Sequence, residues 1–335
     1  MKNKIFFVTG GTGSFGQKFV EIILKKYQAK KVIIFSRDEL KQFQMKNNPI
    51  FRSYIKKMRF FIGDIRDRER LHYALKQKID YVVHAAALKQ VPIAEYNPYE
   101  AIKTNVIGAQ NLIDATSEFN IKKVIALSTD KAASPINLYG ATKLAADKLF
   151  ISANNYNRGT LYSVVRYGNV FASRGSVAPF FLKKKRDGVL PITDKRMTRF
   201  SISLDHAVNF VVSCLKASIG GELFVPKIPS FKIMDLAKVI APKAKYKFIG
   251  IRPGEKLHEE MITSSDSINT FEFKNFYLVA PNSEYFNWNN KKFIKSLKNK
   301  KYKKVKDGFS YNSYNNNHYL NHSDLKKIIK VNKLV

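Results

Sequence analysis

Three glycines spaced three apart, Gly10, Gly13 and Gly16, follow directly on the apolar run Ile5-Phe6-Phe7-Val8. Beyond them Gln17 to Tyr27 carries helical periodicity, with Phe19, Val20, Ile23 and Leu24 on one face. A strand that turns through glycines into a helix suits a pyrophosphate. The glycines permit a tight turn and a close approach of backbone amides, and the helix N-terminus beyond them favours negative charge. Gly10, Thr12, Gly13, Ser14, Phe15 and Gly16 are the candidate contacts. An ordinary strand-to-helix turn can look the same, so the reading needs further signals.

The next strand, Lys31 to Phe35, supplies one, because it ends in Ser36-Arg37-Asp38 at the distance where an adenosine ribose should lie. An acid directly at the strand end selects NAD. Here a hydroxyl and a guanidinium come first, and Arg37 suits bidentate pairing with a 2′-phosphate, which favours NADP; Asp38 leaves NAD open. Lys41 belongs with this group of candidate contacts. A third strand, Met58 to Ile62, leads into Gly63-Asp64-Ile65, placed for adenine contact, although Asp64 could equally cap the next helix. The fourth, Asp80 to Val83, runs into His84-Ala85-Ala86-Ala87, whose small side chains leave room for a cofactor beside Ala85. His84 reads as a packed, hydrogen-bonded histidine.

Strands and helices alternate through Lys123 to Ser128 and Tyr162 to Arg166, with helical stretches near Asp67 to Lys76, Pro98 to Phe119 and Leu138 to Asn154. That rhythm predicts an α/β fold, a Rossmann-type doubly wound parallel sheet over residues 1–167. From 168 the elements shorten and prolines multiply, as expected of a smaller C-terminal substrate-binding lobe over 168–335, some segments of which return to the first domain. The Asn- and Tyr-rich stretch from Asp307 reads as loop or flexible tail before a short helix at Ser323 to Lys330.

The charge of +33 raises the question of nucleic acid or anionic lipid. Lysines are spread throughout, however, and the densest run, Lys291 to Lys306, reads as solvated surface, with contact to a membrane surface or a partner as the alternative. We therefore expect no nucleic-acid partner. With one cysteine, no zinc-ligand spacing, no apolar stretch of membrane-spanning length and no leader-like N-terminus, the expectation is a cytoplasmic protein without metal or integral membrane contact.

The strand Val124 to Leu127 delivers Ser128-Thr129-Asp130-Lys131 at its carboxyl end, where open parallel sheets bind ligands. Tyr139 and Lys143 follow, four apart on one helix face. A lysine ammonium beside a phenol favours phenolate, a base for hydride chemistry, and can also hold the nicotinamide ribose.

At these residues the chain resembles the extended short-chain dehydrogenase/reductases. Ser-Thr-Asp-Lys-Ala at 128 to 132, Asn-Leu-Tyr-Gly-Ala-Thr-Lys at 137 to 143, Val-Arg-Tyr-Gly-Asn-Val at 165 to 170, Ser-Arg-Gly-Ser-Val at 173 to 177 and Arg-Pro-Gly-Glu-Lys at 252 to 256 narrow the match. They resemble the inverting UDP-N-acetylglucosamine 4,6-dehydratases that begin pseudaminic acid synthesis, over about residues 4 to 325. Retaining relatives follow the threonine with Asp-Glu, whereas this chain has Asp130-Lys131.

The resemblance implies that Tyr139 deprotonates the sugar 4-hydroxyl as hydride passes to NADP⁺, with Thr129 bonding the oxygen. Lys131, assisted by Asp130, then removes H5, the 6-hydroxyl leaves as water, and C5 is reprotonated from the opposite face. The implied product is UDP-2-acetamido-2,6-dideoxy-β-L-arabino-hex-4-ulose. A lysine acts as base only when partly deprotonated, which burial and the Lys143 charge would promote. The resemblance also places Lys89 near nicotinamide and substrate, Asn169, Arg174 and Val177 at the sugar nucleotide, and Arg252 at the diphosphate with Glu255 and Thr193 nearby. It implies a homo-oligomer, a dimer or hexamer. A 4- or 5-epimerase of the same superfamily, and a non-catalytic NADP-binding or RNA-associated regulator, are the alternatives. Lys131 argues against a simple 4-epimerase, since that reaction never touches H5.

Overall fold

The computed structural model describes residues 1–119, 121–156, 159–171, 176–282, 293 and 301–332. Six apolar segments form the strands β1 (Ile5–Thr9), β2 (Lys31–Ser36), β3 (Met58–Ile62), β4 (Tyr81–His84), β5 (Lys123–Thr129) and β6 (Leu161–Tyr167). They pair in parallel in the order β3-β2-β1-β4-β5-β6. Their near-continuous apolar character follows from burial on both faces. One helical layer pairs Ser14–Lys25 with Leu204–Ala217, and a second packs Arg68–Leu75, Gly108–Glu118 and Leu138–Tyr156 side by side. The strand order reverses between β1 and β4, which opens the ligand crevice at their carboxyl ends.

After β6 the chain leaves the sheet and comes back. Leu223–Pro226 lies parallel to β6, and Phe276–Val279, Thr270–Phe273 and Tyr302–Lys304 extend the edge antiparallel. A separate, smaller core gathers Phe171, Phe181, Leu190, Ile192, Phe231, Leu236 and Leu325 from three helices and their short strands. This lobe stands beyond the carboxyl edge through Val170 and Phe171, which bridge to Ile202.

Two predicted segments differ from expectation. The helix over Pro98 to Phe119 is broken by a π turn at Lys103–Ile107, which turns Asn105 into the core. The Asn-rich stretch is an ordered strap: Tyr311–Asn312 pairs with Glu260–Ile262, Ser313 is fully buried, and Asn316 donates to the Ile228 carbonyl and the Ser230 hydroxyl. Its asparagines are polar because they satisfy backbone groups of neighbouring loops. The basic run Lys291 to Lys306 lies mostly outside the described residues.

The amino end of the sheet is tied by Asp80, whose carboxylate accepts from the Ile5 amide at 3.0 Å and pairs with Lys122 at 3.1 Å and Lys4 at 3.4 Å. Burial would raise its pKa, but the Ile5 amide and the two lysines outweigh that and hold it below the usual carboxylate range. Asp80→Asn is expected to cost about 1–2 kcal/mol at pH 7. Because the folded value is depressed, the wild-type advantage is present above about pH 4 and fades as pH falls through the folded value. Urea titrations at pH 7 and pH 3 check this, and a gap that does not shrink in acid would contradict it.

Candidate active site

The glycine turn joins β1 to the Ser14–Lys25 helix and packs against the end of β4. A Cβ on Gly10 would lie 2.8 Å from the Ala85 carbonyl, and Gly10 has φ +64°, so the position accepts glycine alone. A Cβ on Gly16 would meet the Gly10 oxygen at 2.5 Å, which lets the helix close on the turn. The Thr9 hydroxyl joins the two strand ends: it lies 2.8 Å from His84 Nδ1 and accepts from the Ala85 and Ala86 amides. Burial, reinforced by the Lys143 charge, pushes His84 down to about 3, so it is a neutral packing residue. Gly13 caps the helix with no side-chain bond, and Gly13 and Ser14 are exposed. The helix N-terminus thus presents free amides to the crevice. Thr12 is buried, and its carbonyl accepts from Gln17.

At the end of β2, Ser36 is buried and Gln42 donates to both its carbonyl and its hydroxyl. Asp38 is taken by the next helix: it caps the Lys41 amide at 2.9 Å and pairs with the Lys41 ammonium at 2.6 Å. Arg37 is exposed, 3.7 Å from Asp64. Asp64 receives the Arg66 guanidinium in a fork at 3.0 and 2.8 Å, and Asp67, not Asp64, caps the Arg68–Leu75 helix. Ile65 is buried against Gly108. Lys89 is exposed on the loop after β4, and Asn105 holds that loop by exchanging two bonds with Leu88, at 2.8 and 2.9 Å, and by donating to Thr142 at 3.0 Å. Sequence reasoning did not single out Asn105; the available signal was an asparagine inside a helical stretch, a costly choice without a partner.

The tightest cluster lies where β5 ends. Thr129 donates to Asp130 Oδ1 at 3.0 Å, and Lys131 Nζ donates to Asp130 Oδ1 at 3.1 Å, to Glu259 Oε1 at 3.1 Å and to Asn169 Oδ1 at 3.5 Å. Arg199 approaches Glu259 to 3.5 Å. Asp130 and Glu259 are buried, and Asp130 Oδ2 and Glu259 Oε2 have no hydrogen-bond partner among the described residues. The Leu138–Tyr156 helix brings Tyr139 beside Thr129 and Lys143 to the same side. Asp147, one turn further on, is tied to Ser128 at 2.6 Å and Arg166 at 3.1 Å, which fixes the helix to β5 and β6.

The electrostatics reverse one expectation. Burial alone would strip the proton from Lys131, but the carboxylates of Asp130 and Glu259 outweigh burial and the Arg199 charge, so its ammonium is held above the ordinary range. Lys131 is a protonated lysine in this state because two acids face it. Burial raises Asp130 despite Lys131, whereas at Glu259 the Lys131 and Arg199 charges overcome burial and lower it. Tyr139 is pushed up to about 12 by burial, and the Lys131 charge opposes this. Lys143 is itself lowered by burial, against the pull of Asp147.

The remaining predicted contacts lie in the second lobe. Val177 opens a helix and lines a small cleft with Asn169, Phe171 and Phe200. Thr193 follows the strand Val189–Ile192. Arg252 is exposed, 4.0 Å from Glu255, and the loop between them is held by Asn137, which donates to the Gly254 carbonyl at 2.8 Å. Arg174 lies outside the described residues.

A ten-stranded sheet reversing at β1 and β4, a glycine turn in the crevice, and a tyrosine and lysine one helical turn apart beside it define an extended short-chain dehydrogenase/reductase. The chain belongs to the polysaccharide biosynthesis protein family, whose model matches residues 6–281. It is 55% identical over 330 residues to the inverting UDP-N-acetylglucosamine 4,6-dehydratase of Campylobacter jejuni, covering 97% of each chain. It is also 41% identical over 299 residues to a UDP-glucose 4-epimerase of Rickettsia bellii, 85% of each. Among solved structures, Pen from Bacillus thuringiensis superposes with a TM-score of 0.88 at 35% identity, over 100% of this chain and 99% of that one.

Gly140 makes the cluster possible. A Cβ there would lie 2.1 Å from the Lys131 carbonyl oxygen, so only a glycine lets the helix rest on the Asp130–Ala132 turn. Gly140→Ala is expected to cost roughly 1–3 kcal/mol through forced separation of helix and turn. A urea midpoint unchanged from wild type would show that the two elements do not depend on this contact.

Proposed function

We propose that the protein is a UDP-N-acetylglucosamine 4,6-dehydratase that inverts C5, giving UDP-2-acetamido-2,6-dideoxy-β-L-arabino-hex-4-ulose as the first step toward pseudaminic acid. The observation that carries this reading is the Asp130–Lys131 pair beside Tyr139: a proton-transfer pair next to a hydride-chemistry tyrosine serves water loss, and a 4-epimerase has no use for it. Identity of 55% to an inverting dehydratase supports the same choice over the epimerase reading suggested by the more distant relatives.

The cofactor in this reading is NADP, held by the glycine turn, the Ser14 helix end, Arg37, Lys41, Ala85, Lys89, Tyr139 and Lys143. The close backbone packing at Gly10 and Gly16, which no side chain would tolerate, makes the tight turn that suits a pyrophosphate. With Asp38 capping a helix and paired to Lys41, the ribose end presents Arg37 and Lys41, which suits a 2′-phosphate better than a free 2′-hydroxyl. Held by these residues, the cofactor would supply reversible hydride storage between C4 and C6, with no external reductant needed.

Thr129 and Tyr139 hold the sugar 4-hydroxyl, and Tyr139, a neutral phenol here, would take its proton as the phenolate that the positive nicotinamide of a bound cofactor favours. The ketone then acidifies H5. Lys131 passes its proton to Asp130 Oδ1, which leaves a neutral amine and a carboxylic acid, as the raised Asp130 permits. The amine removes H5 while the Asp130 acid protonates the departing 6-hydroxyl, releasing water; once the hydride is back at C6, a solvent-derived proton added at C5 from the opposite face completes the product and inverts that centre. Asn169, Arg174, Val177, Thr193, Arg252 and Glu255 hold the sugar nucleotide in this scheme. An exposed apolar strip of Ile93, Tyr96, Tyr99 and Ile107 supports assembly into a dimer or larger ring. No helix among the described residues is long and apolar enough to cross a membrane, in keeping with a cytoplasmic enzyme.

The purified protein, incubated with UDP-N-acetylglucosamine in D₂O without added cofactor, is expected to release one water and give a C6 methyl, deuterium at C5 and the L-arabino configuration by NMR. An unchanged mass with a new 4-epimer would replace the dehydratase with the epimerase. Tyr139→Phe should lower turnover about 10²- to 10⁴-fold.

A further inference from the structure

Glu259 stands apart from every residue to which the sequence reading gave a role, and it is built into the site with unusual care. It is 2% exposed. Its backbone is clamped by the strap: the Glu259 amide donates to the Ser313 hydroxyl at 2.9 Å, and the Ser313 amide donates to the Glu259 carbonyl at 2.7 Å. Its carboxylate meets Lys131 Nζ at 3.1 Å and Arg199 Nε at 3.5 Å. Arg199 is itself fixed by donating to the Thr198 and Leu257 carbonyls at 2.7 and 3.1 Å. A carboxylate held this rigidly in a buried place is costly unless its charge is needed there.

The geometry points to Glu259 as the positioning residue of Lys131, anchoring the ammonium over Asp130 Oδ1 so that lysine and aspartate share one transferable proton. This rests on the dehydratase reading and names a part of the machinery which that reading leaves out. Three groups compete for the lysine: Asp130 from its own turn, Glu259 from the segment before Glu260–Ile262, and the Asn169 carbonyl from the end of β6. The other charges facing it are Arg199 on the strand Thr198–Phe200 and Lys256, whose ammonium donates to the Ala133 carbonyl; Glu260 lies further out on Ser134, and the neutral Tyr139 closes the side toward the helix.

With Asp130, Glu259, Lys131 and Arg199 all ionised, the cluster is neutral. Asp130 is the acid that burial leaves closest to taking a proton, and Glu259 is the acid that stays charged. A proton moving from Lys131 Nζ to Asp130 Oδ1 therefore leaves the Glu259–Arg199 pair unchanged behind it. Glu259 fixes where the lysine stands and how strongly it holds its proton, while Asp130 exchanges it. Without Glu259 the lysine has one acid in place of two, and nothing of opposite charge draws it away from the helix side.

The test compares Glu259→Gln, which keeps size and removes charge, with wild type in two readouts. By NMR of the lysine ammonium groups, with Lys131→Met to assign the signal, Lys131 should titrate roughly 1–3 pH units lower in the variant. With UDP-N-acetylglucosamine, kcat should fall about 100-fold with KM little changed, and the limb of the pH–rate profile that reports Lys131 should move to lower pH by the same amount. Lys131 titrating at its wild-type pH, or a lowered kcat with an unmoved profile, would overturn the positioning role. Should the glutamine variant not fold, Glu259→Asp decides the case: it keeps the charge but withdraws it, and wild-type titration and turnover there would count against the proposal. If wild type fails to dehydrate the sugar nucleotide, the dehydratase reading falls, while the titration still decides whether Glu259 holds the lysine.

Discussion

The contact of the Leu138–Tyr156 helix with the turn at the end of β5 governs the site, because it brings a phenol and a lysine on a helix against an acid and a lysine on a turn. The approach is closer than any side chain at residue 140 would permit. It is held from beneath by Asp147, which bonds both Ser128 and Arg166, and from the side by Asn105, which joins the helix to the Leu88 loop. With helix and turn locked together, Thr129 serves Tyr139 and Asp130 at once. Preorganisation of this kind is what lets weak acids and bases act at neutral pH.

The charges within this frame obey a simple rule. A buried lysine alone loses its proton, a buried acid alone keeps one, and a buried lysine between two acids keeps its own. The two acids differ in company: Glu259 has Lys131 and Arg199, whereas Asp130 has Lys131 and a hydroxyl. That difference splits their proton affinities and gives each a separate task. Tyr139, pushed up by burial, feels the Lys131 ammonium, so the two halves of the chemistry are electrically linked.

The second lobe takes part through its backbone as much as its side chains. The strap that carries Tyr311 and Ser313 crosses from the last helix to the strand Glu260–Ile262, and so fixes the segment from which Glu259 enters the site. Asn137, just before the Leu138–Tyr156 helix, holds the Arg252–Glu255 loop through Gly254. Groups separated by more than a hundred residues thus meet within a few ångströms of the same turn. The polar composition of the strap serves these joints, which explains why a segment that reads as a flexible tail is ordered.

By itself the sequence determined the parallel sheet, the glycine turn and the Tyr139–Lys143 face, because each is a local pattern: apolar runs of strand length, glycines at turn spacing, a helical period of four. The first six strands of the sheet and the helix that carries Tyr139 and Lys143 fall where those patterns put them. It equally marked Asp130 and Lys131 as a departure from the Asp-Glu of retaining relatives. What only the tertiary structure decided is which charge faces which. Lys131 is a base by the resemblance, yet it is an ammonium here because Asp130 beside it and Glu259, 128 residues away, both face it. Asp64 reads as an adenine contact or equally a cap, yet Asp67 takes the cap and Arg66 and Arg37 pair with Asp64. The π turn at Asn105 and the ordered strap belong to the same class. Proton affinity and loop order depend on distance and burial, and no local spacing encodes those.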